Sequence, residues 1–87
     1  MKTRARELVL SELLEAIKEK ERKITSLLRI RRRAEIDQEC IDVTDEVKTE
    51  LANEHEVFEA LHELDIEALE IKISCLKAMI LADSVDI

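Results

Sequence analysis

One segment of this chain places two imidazoles and a carboxylate at spacings suited to a metal ion. His55, Glu59 and His62 stand at i, i+4 and i+7, so a helix would place all three on one face. The step from Glu59 to His62 matches the Glu-x-x-His step of di-iron carboxylate bundles, in which other helices supply further glutamates. Glu59 lies off the main apolar stripe, however, and the segment is rich in glutamate. We predict no metal and no cofactor, and these three residues are the candidates against that prediction.

A second segment is basic: Arg29, Arg31, Arg32 and Arg33 form what we call the arginine patch. Arginine-rich helices bind phosphate backbones. Dimeric helical hairpins of the Rop type bind RNA on a helical face, and the likeness here is one of architecture, without a shared motif. The structural interpretation is that acidic residues neutralise the patch. A Rop-like nucleic-acid-binding regulator is therefore an alternative function, although the acidity of the chain and its single aromatic residue count against stacking on single strands.

The second half of the chain carries a dense acidic surface. Such a surface can imitate a nucleic-acid backbone, as small phage inhibitors do, or can simply solubilise an amphipathic helix. An acidic nucleic-acid mimic is thus a further alternative function. Its residues are Glu46, Glu50, Glu54, Glu56, Glu59, Glu63, Glu67 and Glu70.

Catalysis has little support from the sequence. There is no glycine to build a phosphate-binding loop, and no Ser/His/Asp or Cys/His set on a recognisable turn. The two cysteines, Cys40 and Cys75, are predicted to be free thiols of a cytoplasmic protein, with Cys75 in the core. We predict that the protein is not an enzyme.

The composition that must position these groups is that of long helices. The chain has no Gly and no Pro, one aromatic residue, 40% charged residues and 46% hydrophobic ones. Without Gly and Pro most routes to hairpin turns and bulges are lost, and the remaining residue types are mostly good helix formers. The sequence predicts an all-α fold in one domain, residues 1–87, with no membrane-spanning segment.

Helix 1 is predicted over about residues 4–35. Its apolar residues recur at helical spacings, with Glu21 interrupting them, and Leu13 and Leu27 widen the apolar face. We call the main row the helix-1 stripe: Leu10, Leu14, Ile17, Ile24 and Leu28.

The pattern fails between residues 36 and 44, which we predict to be the turn. Asp, Thr and β-branched residues are weak in helix interiors, and Thr44 or Asp42 can cap the next helix. A short third helix within the turn is the alternative.

Helix 2 is predicted over about residues 45–82. Its clean apolar row, the helix-2 stripe, consists of Val57, Leu61, Leu64, Ala68, Ile71, Cys75 and Ala78. A second apolar row makes the helix apolar on more than one side, so helix 1 alone cannot cover it. The predicted interface with another subunit is Leu61, Leu64, Ile66, Ala68, Leu69, Ile71, Ile73, Leu76 and Ile80. If that partner is a different protein, Ile66→Asp or Ile73→Asp should abolish binding and leave the helix content intact.

The two halves of the chain carry opposite charge. Residues 1–34 hold eleven Lys/Arg and five Asp/Glu, a net of +6; residues 35–87 hold three and sixteen, a net of −13, and the sum is −7. We expect an antiparallel hairpin turning near residue 40. Residues 29–33 should then face the glutamates between 46 and 54, and residues 18–23 those between 56 and 63.

These patterns predict a long antiparallel helical hairpin that dimerises into a four-helix bundle or coiled-coil-like assembly. The function that fits best is that of a small cytoplasmic interaction or regulatory protein. We expect it to bind another macromolecule, a protein, through its helical surfaces.

Overall fold

The computed structural model describes residues 2–40 and 42–85, with side chains as far as Asp83. Helix α1 runs over Thr3–Glu39 (37 residues) and helix α2 over Asp45–Val85 (41 residues), and no strand occurs in these ranges. The helices lie antiparallel in a rod of 65 × 15 × 14 Å. The all-helical hairpin predicted from composition is confirmed. Met1, Ile41, Asp86 and Ile87, which the predicted domain or turn includes, lie outside the described residues.

Helix α1 continues four residues beyond its predicted end at Glu35. Two ion pairs on its last turns accompany this extension: Arg32 Nη1 lies 3.2 Å from a Glu35 oxygen, and Arg33 Nε lies 3.4 Å from Asp37 Oδ1. Pairs at i,i+3 and i,i+4 each favour a helix by a few tenths of a kcal/mol, roughly 0.2–0.5. They offset the weak propensity of residues 36 and 37, which is why the turn begins later than predicted.

The start of α2 is held by the side chain of Thr44. The Val47 N–H donates to Thr44 Oγ1 at 3.4 Å, and the Lys48 N–H donates to the Thr44 carbonyl at 3.0 Å. Asp45 and Glu46 occupy the first turn, where the helix dipole favours negative charge. Residues 40 and 42–44 are not helical.

Removing this cap should destabilise the hairpin slightly. We expect Thr44→Ala to lower the free energy of unfolding by about 0.5–1 kcal/mol, the lower part of the range for N-caps because the bond is long. Thr25→Ala is the control, since the Thr25 hydroxyl donates to the Glu21 carbonyl within α1 and caps nothing. Urea denaturation followed by circular dichroism measures both. Equal effects of the two substitutions would contradict the capping role.

The two helices meet along a seam of residues spaced by three or four positions. Ala16, Leu27 and Ile73 are buried, with 3, 7 and 8% of their surface exposed, and the rest of the seam is half-buried. The seam on α1 comprises Arg6, Val9, Leu13, Ala16, Lys20, Lys23, Leu27, Ile30, Ala34 and Asp37. The seam on α2 comprises Leu51, His55, Glu59, His62, Ile66, Leu69, Ile73, Leu76, Ile80 and Asp83.

The row that packs against α2 is therefore not the helix-1 stripe that dominates the sequence pattern. The helix-1 stripe lies one residue further round the helix at every step. A seam built on it would have placed Glu21 between the helices. The observed seam instead contains Lys20 and Lys23, whose long side chains reach Glu70 at 3.3 Å and Asp65 at 3.1 Å.

The register of the hairpin also differs from the expected one. Arg31 pairs with Glu59 at 3.6 Å and with Glu63 at 3.0 Å, and Lys20 pairs with Glu70. These partners lie about three helical turns further along α2 than predicted, taking 3.6 residues per turn. The cause is the position of the reversal, because α1 runs to Glu39 and α2 begins only at Asp45. The expected pairing of opposite charges across the hairpin nevertheless occurs.

Candidate protein-binding surfaces

The hairpin leaves much of its apolar surface in solvent. Among the residues whose side chains the structure describes, fourteen large hydrophobic ones are more than a third exposed, whereas three apolar ones are buried. The chain exposes 6772 Å², compared with roughly 5300 Å² for an average folded monomer of its mass, 10.1 kDa. The difference, about 1500 Å², exceeds the roughly 800 Å² that one partner contributes to a standard protein interface.

The helix-1 stripe forms the first exposed surface. Each of its members follows a seam residue by one position, so the stripe is turned by about 100° from the seam. Leu14 and Leu28 are 52% and 58% exposed, and Leu10 and Ile24 are also exposed. The same side of α2 is acidic: Glu63 and Glu70 lie there, paired with Arg31 and Lys20, and Glu56 and Glu67 are exposed beside them. An occupant of this surface needs an apolar face with basic residues along one edge.

The helix-2 stripe forms the second exposed surface. Its members follow seam residues by two positions, so it is turned by about 200° and lies on the back of α2, away from α1. Leu64 and Ile71 are 61% and 67% exposed. Cys75 is exposed as well, which corrects the prediction that it is a core residue. Because the two stripes point in different directions, no single helix can lie on both.

The structure divides the nine predicted interface residues into two groups. Leu61, Leu64, Ala68 and Ile71 are exposed on the helix-2 stripe. Ile66, Leu69, Ile73, Leu76 and Ile80 belong to the seam and pack towards α1. Only the first group is available to another chain while the hairpin is intact. The sequence signal that distinguishes the two groups is the position of the acidic residues, because Asp65 and Glu70 must lie where they can reach the lysines of α1.

Polar pairs between the two helices occupy both ends of the seam. Arg6 donates from Nη1 to Asp83 Oδ2 at 2.7 Å at the open end. Near the turn, His55 Nε2 lies 3.5 Å from Asp37 Oδ2, and the buried His55 Nδ1 has no hydrogen-bond partner among the described residues. Each pair joins α1 to α2, so the two pairs hold the register of the hairpin at its two ends.

The arginine patch is largely neutralised. Arg31 bonds to Glu59 and Glu63 of α2, whereas Arg32 and Arg33 pair with Glu35 and Asp37 of their own helix. Arg29 is exposed. A phosphate would have to compete with a carboxylate for three of the four guanidinium groups.

We therefore expect no salt-sensitive binding of nucleic acid by this patch. Fluorescence anisotropy with duplex RNA and DNA should give no saturable binding at low ionic strength. A dissociation constant that weakens by orders of magnitude between about 50 and 200 mM salt would contradict this expectation. In that case Arg31, Arg32 and Arg33 should be changed together to Gln.

The acidic surface of α2 is also partly used within the hairpin. Glu59, Glu63 and Glu70 pair with basic residues of α1. Three of its eight glutamates are thus engaged, and a basic cleft would have to displace α1 side chains to reach them.

The metal candidates point to different partners. Glu59 pairs with Arg31, His55 faces Asp37, and His62 Nδ1 donates to the Phe58 carbonyl at 2.9 Å. Among the described residues there is no group of three or more His, Cys, Asp or Glu side chains that could hold a metal ion. Over the same residues, neither helix combines the length and the apolar character that a membrane span requires.

Comparison with protein-family models, with curated proteins and with solved structures gave no match to this chain.

Proposed function

We propose that this protein is a non-catalytic helical interaction protein that works by packing its exposed helix faces against other polypeptides. The observation that supports this most directly is the presence of two exposed apolar stripes at coiled-coil spacing, one on each helix. The members of the stripes recur at steps of three, four or seven positions, and Leu14, Leu28, Leu64 and Ile71 among them are more than half exposed. Scattered surface leucines are normal, but exposed apolar residues gathered on one face of a helix mark protein interfaces.

The two stripes have separate occupants under this proposal, because they point in different directions. One is covered by self-association, which completes a four-helix assembly from two hairpins. The other receives an amphipathic helix of a different protein, in the groove-and-helix manner of peptide recognition. Glu56 and Glu67, which are exposed one position after seam residues on the same side of the hairpin, favour a partner helix with a basic edge.

Photo-cross-linking in the cell tests the second of these functions. A photoreactive amino acid at position 14 should give a discrete cross-linked species, whereas the same group at position 22, an exposed polar position of the same helix, should not. Adding Ile24→Glu should abolish the product from position 14. Equal labelling at positions 14 and 22, unaffected by Ile24→Glu, would contradict a specific partner on the helix-1 stripe.

A further inference from the structure

The helix-2 stripe is complementary to itself when its direction is reversed. Ala82, which is exposed, extends the stripe by one step to eight positions. Its first three residues are large, its last three are small, and Ala68 and Ile71 lie between them. When two copies of the stripe lie antiparallel, each pair of facing residues, which we call a layer, contains one large and one small side chain. The layers pair Val57 with Ala82, Leu61 with Ala78, Leu64 with Cys75, and Ala68 with Ile71.

This pattern matches an isologous, two-fold interface between antiparallel helices. In such an interface the same patch is used by both subunits, and residue i contacts j as j contacts i. Alternation of large and small residues across facing positions allows the layers to interdigitate at even spacing. The two-fold axis would pass between positions 69 and 70, on the back of α2.

One edge of the stripe is complementary to itself in the same register. It carries Phe58, Asp65, Lys72 and Met79 at intervals of seven residues. Reversal places Asp65 beside Lys72 of the second copy, and Phe58 beside its Met79, a favourable thioether–aromatic contact. Within one hairpin Asp65 pairs with Lys23 at 3.1 Å, and Lys72 pairs with Glu12 at 3.2 Å. Dimerisation would bring the Lys23–Asp65 pair of one copy beside the Lys72–Glu12 pair of the other, in a row of alternating charges. The two-fold symmetry would produce this row twice.

The helix-1 stripe lacks these properties. Its five apolar members are all large, and Glu21 stands in the middle of the row. Self-pairing would bury Glu21 against a large apolar side chain. Its outer edge contains Lys18 and Arg32, and the acidic residue that follows at the same spacing, Glu39, lies about three turns beyond the end of the stripe at Leu28. Size and charge therefore both select the helix-2 stripe for self-association.

From this self-complementarity we infer that a second copy of the chain covers the helix-2 stripe, antiparallel and two-fold symmetric, with Leu64 against Cys75 of that copy. The inference rests on the proposed function and names the occupant of one of its two surfaces. The four helices of the dimer then lie with the two α2 helices inside and the two α1 helices outside. Both helix-1 stripes remain accessible to a different protein.

Thiol cross-linking with Cys40→Ser as the background tests this register. Adding Leu64→Cys places a thiol beside Cys75 of the second copy, so mild oxidation should convert most of the protein into a covalent dimer. Cys40→Ser alone should stay monomeric on a denaturing gel. Its two Cys75 thiols would be displaced by eleven residues, about 16 Å along the axis at 1.5 Å per residue, too far for a disulfide.

Two further variants keep the test decisive. Cys40→Ser with Leu64→Cys and Cys75→Ser has one thiol, at position 64, and should not cross-link. Leu61→Cys with Ala78→Cys, combined with Cys40→Ser and Cys75→Ser, tests the neighbouring layer and should cross-link as efficiently as the first pair. Circular dichroism on each reduced variant checks that the helices are formed.

The possible outcomes separate this inference from the proposed function. A covalent dimer of Cys40→Ser alone would show parallel pairing and overturn the antiparallel register. A solution mass near 10.1 kDa for the unmodified chain by light scattering, with no cross-link in any variant, would overturn self-pairing altogether. Neither result touches the helix-1 stripe, which the cross-linking at position 14 tests independently.

Discussion

Ile73→Asp should unfold the hairpin, whereas Ile71→Asp, two residues away on the same helix, should not. Ile73 is 8% exposed in the seam, and Ile71 is 67% exposed on the helix-2 stripe. An unpaired carboxylate at position 73 loses the packing of a buried isoleucine and is itself removed from water. We expect a destabilisation of about 3–5 kcal/mol, comparable to the total stability of a small domain with a minimal core.

Far-UV circular dichroism and light scattering on the two variants measure the contrast. Ile73→Asp should lose most of its helical signal at room temperature. Ile71→Asp should retain far more of it, while its solution mass falls to that of a single chain. Equal loss of helix in both variants would mean that the two isoleucines are buried alike, which would contradict the described seam. The earlier expectation that Ile73→Asp abolishes partner binding without unfolding is therefore transferred to Ile71→Asp.

Replacing the two seam lysines by leucine should stabilise the hairpin. Lys20 and Lys23 occupy the middle of the seam with side chains 33% and 32% exposed, and their partners Glu70 and Asp65 are more than half exposed. Ion pairs this open to water contribute little, about 0–1 kcal/mol. Leucine at both positions would instead bury apolar surface, and we expect the free energy of unfolding to rise by about 1–4 kcal/mol in total.

Thermal unfolding at a fixed protein concentration measures this gain, since oligomerisation makes the midpoint depend on concentration. For a chain of this size each 1 kcal/mol shifts the midpoint by about 4–8 °C. Lys18→Leu is the matched control, because Lys18 lies outside the seam and is exposed, and it should leave the midpoint nearly unchanged. A lower midpoint for the double variant would show that the lysine pairs contribute net stability. We also expect a broader distribution of solution masses, because polar residues in a seam specify register at a cost in stability.

The hydrophobic pattern of a single helix does not identify which of its rows will pack against the other helix. Both rows of α1 have helical spacing, and the helix-1 stripe is the more apolar of the two. The fold nevertheless packs the row that contains Lys20 and Lys23. A stripe is a property of one helix, whereas a seam requires each polar residue to find a partner on the other helix. Lys20 and Lys23 have such partners; Glu21 on the helix-1 stripe would not.

The candidate metal site illustrates the same limit. The spacing of His55, Glu59 and His62 places them on one face of α2, and the structure does put all three in the seam. Neighbours from α1, Arg31 and Asp37, decide what Glu59 and His55 contact, and His62 bonds to the Phe58 carbonyl of its own helix. Spacing along one helix cannot reveal whether the opposite helix supplies a carboxylate or a guanidinium group.

The sequence by itself determined that the chain forms long helices on both sides of one reversal, and that its oppositely charged halves pair. The physical reasons are local: the lack of Gly and Pro, the propensities around residues 36–44, and the separation of charge between the halves. Only the tertiary structure decided which apolar row became the seam, where the register settled, and which stripes stayed in solvent. These depend on contacts between residues far apart in the chain, such as Lys23 with Asp65 and Arg31 with Glu63, which no local pattern encodes.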